Sequence, residues 1–277
     1  MSQLVFITLL FAALMHATWN AVLKSAPNKY LNTVLVTGAA ALWALLLLPF
    51  FPTPALQSWP FIFASVFLQI IYFVSLAKTY QIADISQVYP LMRGTAPLIV
   101  ALCSITLFDQ HLSLMAWIGI SVLCAGILFI LYANQTITRK TIVLALLNAL
   151  VIACYTLIDA IGARYSGSAI AYSLWIFLLT GLLMLAHMTL KGRQHNWRYL
   201  RKYWYLGAIG GICSITSYTL ALWAMVLAPV AIVAALRESS ILFVLLISIF
   251  ILKEKVGLIR LLSASVIMVG IFILRLA

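Results

Sequence analysis

Residues 87–108 read QVYPLMRGTAPLIVALCSITLF, and residues 231–252 read AIVAALRESSILFVLLISIFIL. The second stretch lies on the first without a gap at an offset of 144, and that register extends over Leu76–Ile130 against Leu220–Leu274. Arg93 falls on Arg237, Ser104-Ile105 on Ser248-Ile249, Ser121-Val122 on Ser265-Val266 and Gly126-Ile127 on Gly270-Ile271. Most other matched pairs are merely apolar and would match through composition alone. The arginines are different, because each interrupts an apolar run where charge is costly. If each half crosses a membrane an odd number of times, the second half is inverted relative to the first, a plan that secondary transporters use.

The composition requires the membrane. Of 277 residues 65% are apolar and only 8% charged, whereas a soluble domain carries about a quarter charged residues. A formal net charge of +12 would suggest nucleic acid in a soluble chain. Here Lys and Arg gather in short loops, where they set topology and meet anionic headgroups, so no nucleic-acid partner is expected. Cys103, Cys124, Cys154 and Cys213 all fall inside apolar spans without CxxC or Cys/His spacing, which argues for buried thiols and against a metal site. The first apolar run continues into Trp19, Asn20 and Lys24 behind a start with no basic residue, so it reads as a retained span.

With about 20 apolar residues per crossing, spans fall near 3–23, 31–51, 59–80, 86–108 and 113–132, then 141–163, 168–190, 203–226, 231–252 and 257–276. This predicts an all-α membrane protein of ten transmembrane helices in two inverted five-helix repeats, residues 1–135 and 136–277. The odd loops hold Lys24, Lys29, Lys78, Arg139, Lys140, Lys191, Arg193, Arg198, Arg201, Lys202, Lys253 and Lys255. The even loops and the ends hold Arg164 and Arg275. The positive-inside rule therefore places both termini outside. The linker Asp109-Gln110-His111 aligns with Lys253-Glu254-Lys255, and only the second is basic, as opposite faces require.

The polar residues inside the spans form the candidate site. Arg93 and Arg237 each lie about 10 Å below their own surface at 1.5 Å per residue, Arg93 toward the cytoplasm and Arg237 toward the exterior. Either they snorkel to headgroups and carbonyls, or they line a central cavity and meet an anionic group. On the cytoplasmic half stand His16, Trp19, Asn20, Lys78, Gln87 and Tyr89; on the exterior half stand Tyr155, Asp159, Tyr218 and Glu238. His16 and Asn20 share a helix face, as do Tyr155 and Asp159. Residues 149–159 also overlay 13–23 at an offset of 136, which puts Tyr155 on Trp19. Asp159 needs Arg237 or Arg164, a substrate ammonium group or a proton, because a bare carboxylate in hydrocarbon is costly. Trp19, Tyr72, Tyr89, Tyr155, Trp175, Tyr218 and Trp223 are candidate cavity walls. Gly126, Gly270, Gly207, Gly210 and Gly211 suit close helix approach. Spans five and ten are nearly devoid of polar residues and are expected at the periphery, where a homodimer would place a second copy.

Leu14-Met15-His16-Ala17-Thr18-Trp19-Asn20, Tyr155-Thr156-Leu157-Ile158-Asp159 with Gly162, the acidic turn Lys253-Glu254-Lys255 and the five-plus-five plan together resemble the EamA branch of the drug/metabolite transporter superfamily. The family's Gly-Glu turn is altered, with Gln110 in place of its Glu in the first half and Lys253 in place of a Gly in the second. The resemblance implies a multi-pass protein of a bacterial inner membrane that carries, often exports, small metabolites such as amino acids by alternating access. Its matched cavity positions are His16, Trp19, Asn20, Tyr155 and Asp159; Arg93 and Arg237 come from the repeat. The expected partners are a small polar or zwitterionic substrate and membrane lipids, with no cofactor. Organic anions, quaternary cations held by cation–π contact, and lipid headgroups moved by a flippase or scramblase are the competing cargoes. No HExxH, GxSxG, Walker motif or cofactor fingerprint points to an enzyme or an ATP-driven pump.

Overall fold

The computed structural model describes residues 1–25, 27–82, 85–109, 111–133, 138–190, 194–250, 253 and 257–277. Among the sequence candidates, Asp84, Gln110, Asn134, Lys191, Arg193, Glu254 and Lys255, with the side chains of Lys24, Lys78 and Gln87, lie outside the described residues. Regular structure among the described residues is helical throughout. The first repeat holds α1 (Gln3–Ser25), α2 (Lys29–Leu47), α3 (Trp59–Ile82), α4 (Ile85–Phe108) and α5 (Leu114–Phe129, extended by a 3₁₀ turn to Ala133). The second holds α6 (Arg139–Tyr165), α7 (Ala169–Leu190), α8 (Gln194–Lys202), α9 (Trp204–Leu227), α10 (Val230–Arg237), α11 (Ser240–Phe250) and α12 (Leu258–Leu276).

Local chemistry starts these helices where the sequence offers a cap. The side chains of Asn28, Ser113 and Thr138 accept from the backbone N–H groups of Leu31, Ala116 and Thr141, satisfying donors that a helix start leaves open. The proline-rich stretch after α2 makes two 3₁₀ turns, Leu48–Phe50 and Leu56–Ser58, before α3 begins with Pro60 in its first turn, where no N–H is needed.

Nine helical stretches among the described residues are long and apolar enough to cross a membrane, with Val230–Phe250 taken as one, and the shorter apolar helix Leu114–Phe129 supplies a tenth. The outer surface is aliphatic and aromatic: Leu4, Phe63, Phe67, Leu102, Met268 and Phe272 are exposed. Arg93, Asp159, Arg237 and Glu238 are buried instead. An aliphatic exterior around a charged interior suits hydrocarbon, not water.

Two elements differ from the sequence expectation. Span nine is not one helix. The α-helical ladder stops at Arg237 and resumes at Ser240, and the junction is held by i→i+3 bonds such as Glu238 N–H to the Ala235 carbonyl and Ile241 N–H to the Glu238 carbonyl. Glu238-Ser239-Ser240 supplies polar side chains that compete with the helix for backbone partners, which is reason enough for a break in an apolar span. The basic stretch before span eight is also not a bare loop. From Gln194 to Lys202 it forms the short helix α8, whose Tyr199 is buried with Leu31, Val34, Met184 and Met188.

The two repeats interleave. α1 lies along α9, α2 along α7 and α9, and α3 and α4 along α6. α5 and α12 form the most extensive pair, and each one's matched glycine lies against the backbone of the other helix within one chain: a β-carbon on Gly270 would stand 2.7 Å from the Leu123 backbone nitrogen, and one on Gly126 2.9 Å from that of Ile267. Gly207 and Gly211 bring α9 against α2 in the same way. The small faces of spans five and ten are thus used inside the chain, and their aliphatic faces point outward.

Candidate functional site

α1, α4, α6, α7, α9 and the α10–α11 junction converge on one buried cluster. From α1, His16 meets Arg93 of α4, with Nε2 and Nη2 2.7 Å apart. Its other ring nitrogen, Nδ1, lies 3.2 Å from the indole N–H of Trp19, whose ring stands edge-on to the imidazole. Arg93 also touches Glu238 at the junction, Nε to Oε2 at 2.8 Å, with both side chains 6% exposed. The N–H is not aimed at that oxygen, so this is a charge contact more than a linear hydrogen bond. Tyr89, one helical turn before Arg93, lays its ring 5.7 Å from the guanidinium.

The second half of the cluster is built on Asp159. Its two carboxylate oxygens accept from the hydroxyls of Tyr172 on α7 and Tyr218 on α9, and the Ser65 hydroxyl of α3 adjoins it. Neither Arg237 nor Arg164 is its hydrogen-bond partner among the described residues. Arg164 instead donates to the backbone carbonyls of Ala160 and Met225 and stacks on Phe108, so it ties the end of α6 to α9. Arg237 lies over the ring of Tyr218 at 5.0 Å. Tyr218 therefore presents its hydroxyl to Asp159 and its face to Arg237. Two arginines and two carboxylates sum to zero charge, which makes so many ionisable groups tolerable in one buried interior.

His16, Trp19, Arg93, Tyr155, Tyr218 and Arg237 line a cavity of about 60 Å³, walled further by Tyr72, Phe177 and Ser217. Tyr72, Tyr155 and Tyr218 form a ladder of edge-on rings at 6.0 and 6.3 Å. The volume is contracted against the roughly 300–1,000 Å³ of ligand pockets. A larger groove of about 610 Å³ lies elsewhere, between α1, α11 and α12, lined by residues such as Phe6, Leu242, Leu246 and Met268. It is apolar and holds none of the four buried charges.

The sequence candidates sort as follows. His16, Trp19, Arg93, Tyr155, Tyr218 and Arg237 meet at the cavity, with Asp159 and Glu238 directly behind it and Tyr89 covering Arg93. Asn20 stays out: its amide donates to the His16 carbonyl 2.8 Å away, on its own helix. Trp175 pairs with Trp59 at 5.0 Å instead of lining the cavity, and Trp223 is also absent from its walls. The division into a cytoplasmic and an exterior group does not hold as drawn, because the Arg93–Glu238 contact joins them into one site. Tyr172, Ser65, Gln69 and Phe177 were not visible as site residues. The one sequence trace of Tyr172 is Gly162, three residues beyond Asp159 on the same helix face: a β-carbon there would collide with the Tyr172 ring.

A bundle of apolar crossings around a buried charged cluster, built from two repeats, defines a polytopic membrane protein of the transporter kind. The chain belongs to the EamA-like transporter family, whose model matches residues 3–132 and again residues 139–276. A solved crystal structure is similar over 99% of this chain and 96% of its own, with a TM-score of 0.73 at 16% identity, a likeness of fold alone. No curated protein matches.

Proposed function

We propose that the protein is a secondary transporter, working as an exporter, of a small polar or zwitterionic metabolite such as an amino acid, which it moves by alternating access through the central cavity. The observation that carries this reading is one buried site in which both charge signs face a small aromatic-walled space, with Arg93 from the first repeat and Asp159, Arg237 and Glu238 from the second. Such charges inside a membrane are expensive, and ion or substrate pathways are where they persist. A zwitterion would place its acid group at the arginines and its ammonium group at a carboxylate. The export direction follows the family resemblance. We place the chain in a bacterial inner membrane, following the family resemblance, with both termini outside, from the loop charges.

The flippase reading wants polar groups turned toward lipid. Arg93 and Arg237 are 5% and 8% exposed, and the groove between α1, α11 and α12 is apolar, which favours a soluble cargo. Reconstituted proteoliposomes loaded with a panel of labelled amino acids, organic anions and quaternary amines test the proposal. Asp159→Asn and Arg237→Gln should abolish flux per folded molecule. Arg164→Gln and Arg275→Gln should lower the amount of folded protein and leave flux per folded molecule nearly unchanged, because Arg164 binds carbonyls and Arg275 binds the Met1 carbonyl and stacks on Phe6. Equal loss in all four would show that the charges are structural.

A further inference from the structure

Several hydrogen-bond donors at the cavity lack a matched acceptor. A neutral imidazole has one acceptor nitrogen, yet His16 faces an obligate donor at each: the Arg93 guanidinium at Nε2 and the Trp19 indole at Nδ1. Both oxygens of Asp159 are taken by Tyr172 and Tyr218. Arg237 is more than nine-tenths buried, lines the cavity, and its Nε has no hydrogen-bond partner among the described residues. The remaining carboxylate, Glu238, reaches Arg93 without aligning to its N–H. In the repeat alignment Gly94 stands where Glu238 does, so the arginine is duplicated and this carboxylate is not. Glu238 also sits at the break in span nine, between the end of α10 and the start of α11.

We propose that the cavity takes a substrate bearing a carboxylate, whose anionic group binds between Arg93 and Arg237, and that Glu238 is its internal surrogate, holding Arg93 while the cavity is contracted and yielding it as the substrate enters. This rests on the transport reading above. A planar carboxylate supplies the missing acceptors to both guanidinium forks. It also keeps Arg93 from being left as an unpaired buried charge when the α10–α11 junction moves away. A quaternary cation does neither. Selectivity for acid groups thus comes from competition with a residue of the protein itself.

The test uses the purified full chain in nanodiscs and two probes of nearly equal size, acetate and acetamide, at constant ionic strength, with the thermal midpoint as readout. Removing an internal competitor raises apparent affinity by the fraction of time the site was blocked, so Glu238→Gln should lower the acetate half-saturation about tenfold or more. Glu238→Asp, which keeps the charge and withdraws it by one methylene, should lower it less. Acetamide should shift none of them, and Arg93→Gln in either background should remove the acetate response. An acetate half-saturation that Glu238→Gln and Glu238→Asp leave unchanged or raise overturns the surrogate role, as does an equal response to acetamide. If that happens while the protein still moves amino acids into proteoliposomes, the transport reading survives alone. An acetate site sharpened by Glu238→Gln in a chain that moves no metabolite supports the surrogate and overturns the transport reading.

Discussion

Asp159 was conspicuous in the sequence because a carboxylate inside an apolar run needs an explanation, but its partners were not. Two arginines were the obvious candidates from charge, and the structure supplies two phenols. A tyrosine in an apolar helix is unremarkable, so nothing in span seven marked Tyr172. Its dependence on Gly162 is physical: Tyr172 is fully buried and its ring runs where a side chain at 162 would start. Gly162→Ala should therefore push the ring off Asp159. Tyr172→Phe removes the same donor without the collision and leaves a carboxylate oxygen short of one bond, a cost of about 1–3 kcal/mol. Both variants should lower the thermal midpoint in detergent, Gly162→Ala by more. A Gly162→Ala protein as stable as wild type would mean that the ring has another place to go.

At the scale of elements, apolar length was enough to find the crossings, and composition marked spans five and ten as featureless. What composition lacked was the partner. The glycines of the two spans were legible as close-approach positions, yet only the three-dimensional arrangement pairs α5 with α12 inside one chain. The break in span nine was written in Glu238-Ser239-Ser240 but masked by the hydrophobicity on both sides. Span four shows how weak such local signals are, because α4 runs on through Pro90 and Pro97. The turns after the two spans keep the repeat even where the residues differ: Asp109 and Lys253, which align, both take left-handed backbone, at φ 49° and 52°. The α5–α12 contact gives a direct prediction. A β-carbon at Gly270 would stand within 2.8 Å of the Leu123 backbone, whereas one at Gly257 would meet nothing within 4 Å. Gly270→Ala must spread the helices and should cost about 1–3 kcal/mol as overpacking does. Gly257→Ala should leave the thermal midpoint within error, and matching shifts would mean that the two helices are not held so tightly.

For the whole molecule, the depth arithmetic from sequence placed Arg93 and Arg237 near opposite faces, each with its own polar neighbours. α4 and α10 pack together and Arg93 reaches Glu238, so the two sets of polar neighbours form one site. The parity of the crossings is sturdier than the depths. Arg275 donates to the Met1 carbonyl at 3.0 Å, so the two ends of the chain lie side by side, as an even number of crossings requires. Ala55 donates to the Ser166 carbonyl at 3.1 Å, which joins the loop after α2 to the loop after α6 on one face. Helix α8, with its basic residues, belongs to the opposite face. If the loop charges orient the chain, Thr53→Cys should react with a membrane-impermeant maleimide on intact cells, and Arg198→Cys only after permeabilisation. Both positions are exposed, and the native Cys103, Cys124, Cys154 and Cys213 all lie within membrane-spanning helices, giving a low background. The reverse labelling pattern would turn the molecule over, leaving the inverted repeat intact. Equal labelling of both positions on sealed cells would contradict the crossing count itself, since these two loops are separated by five spans.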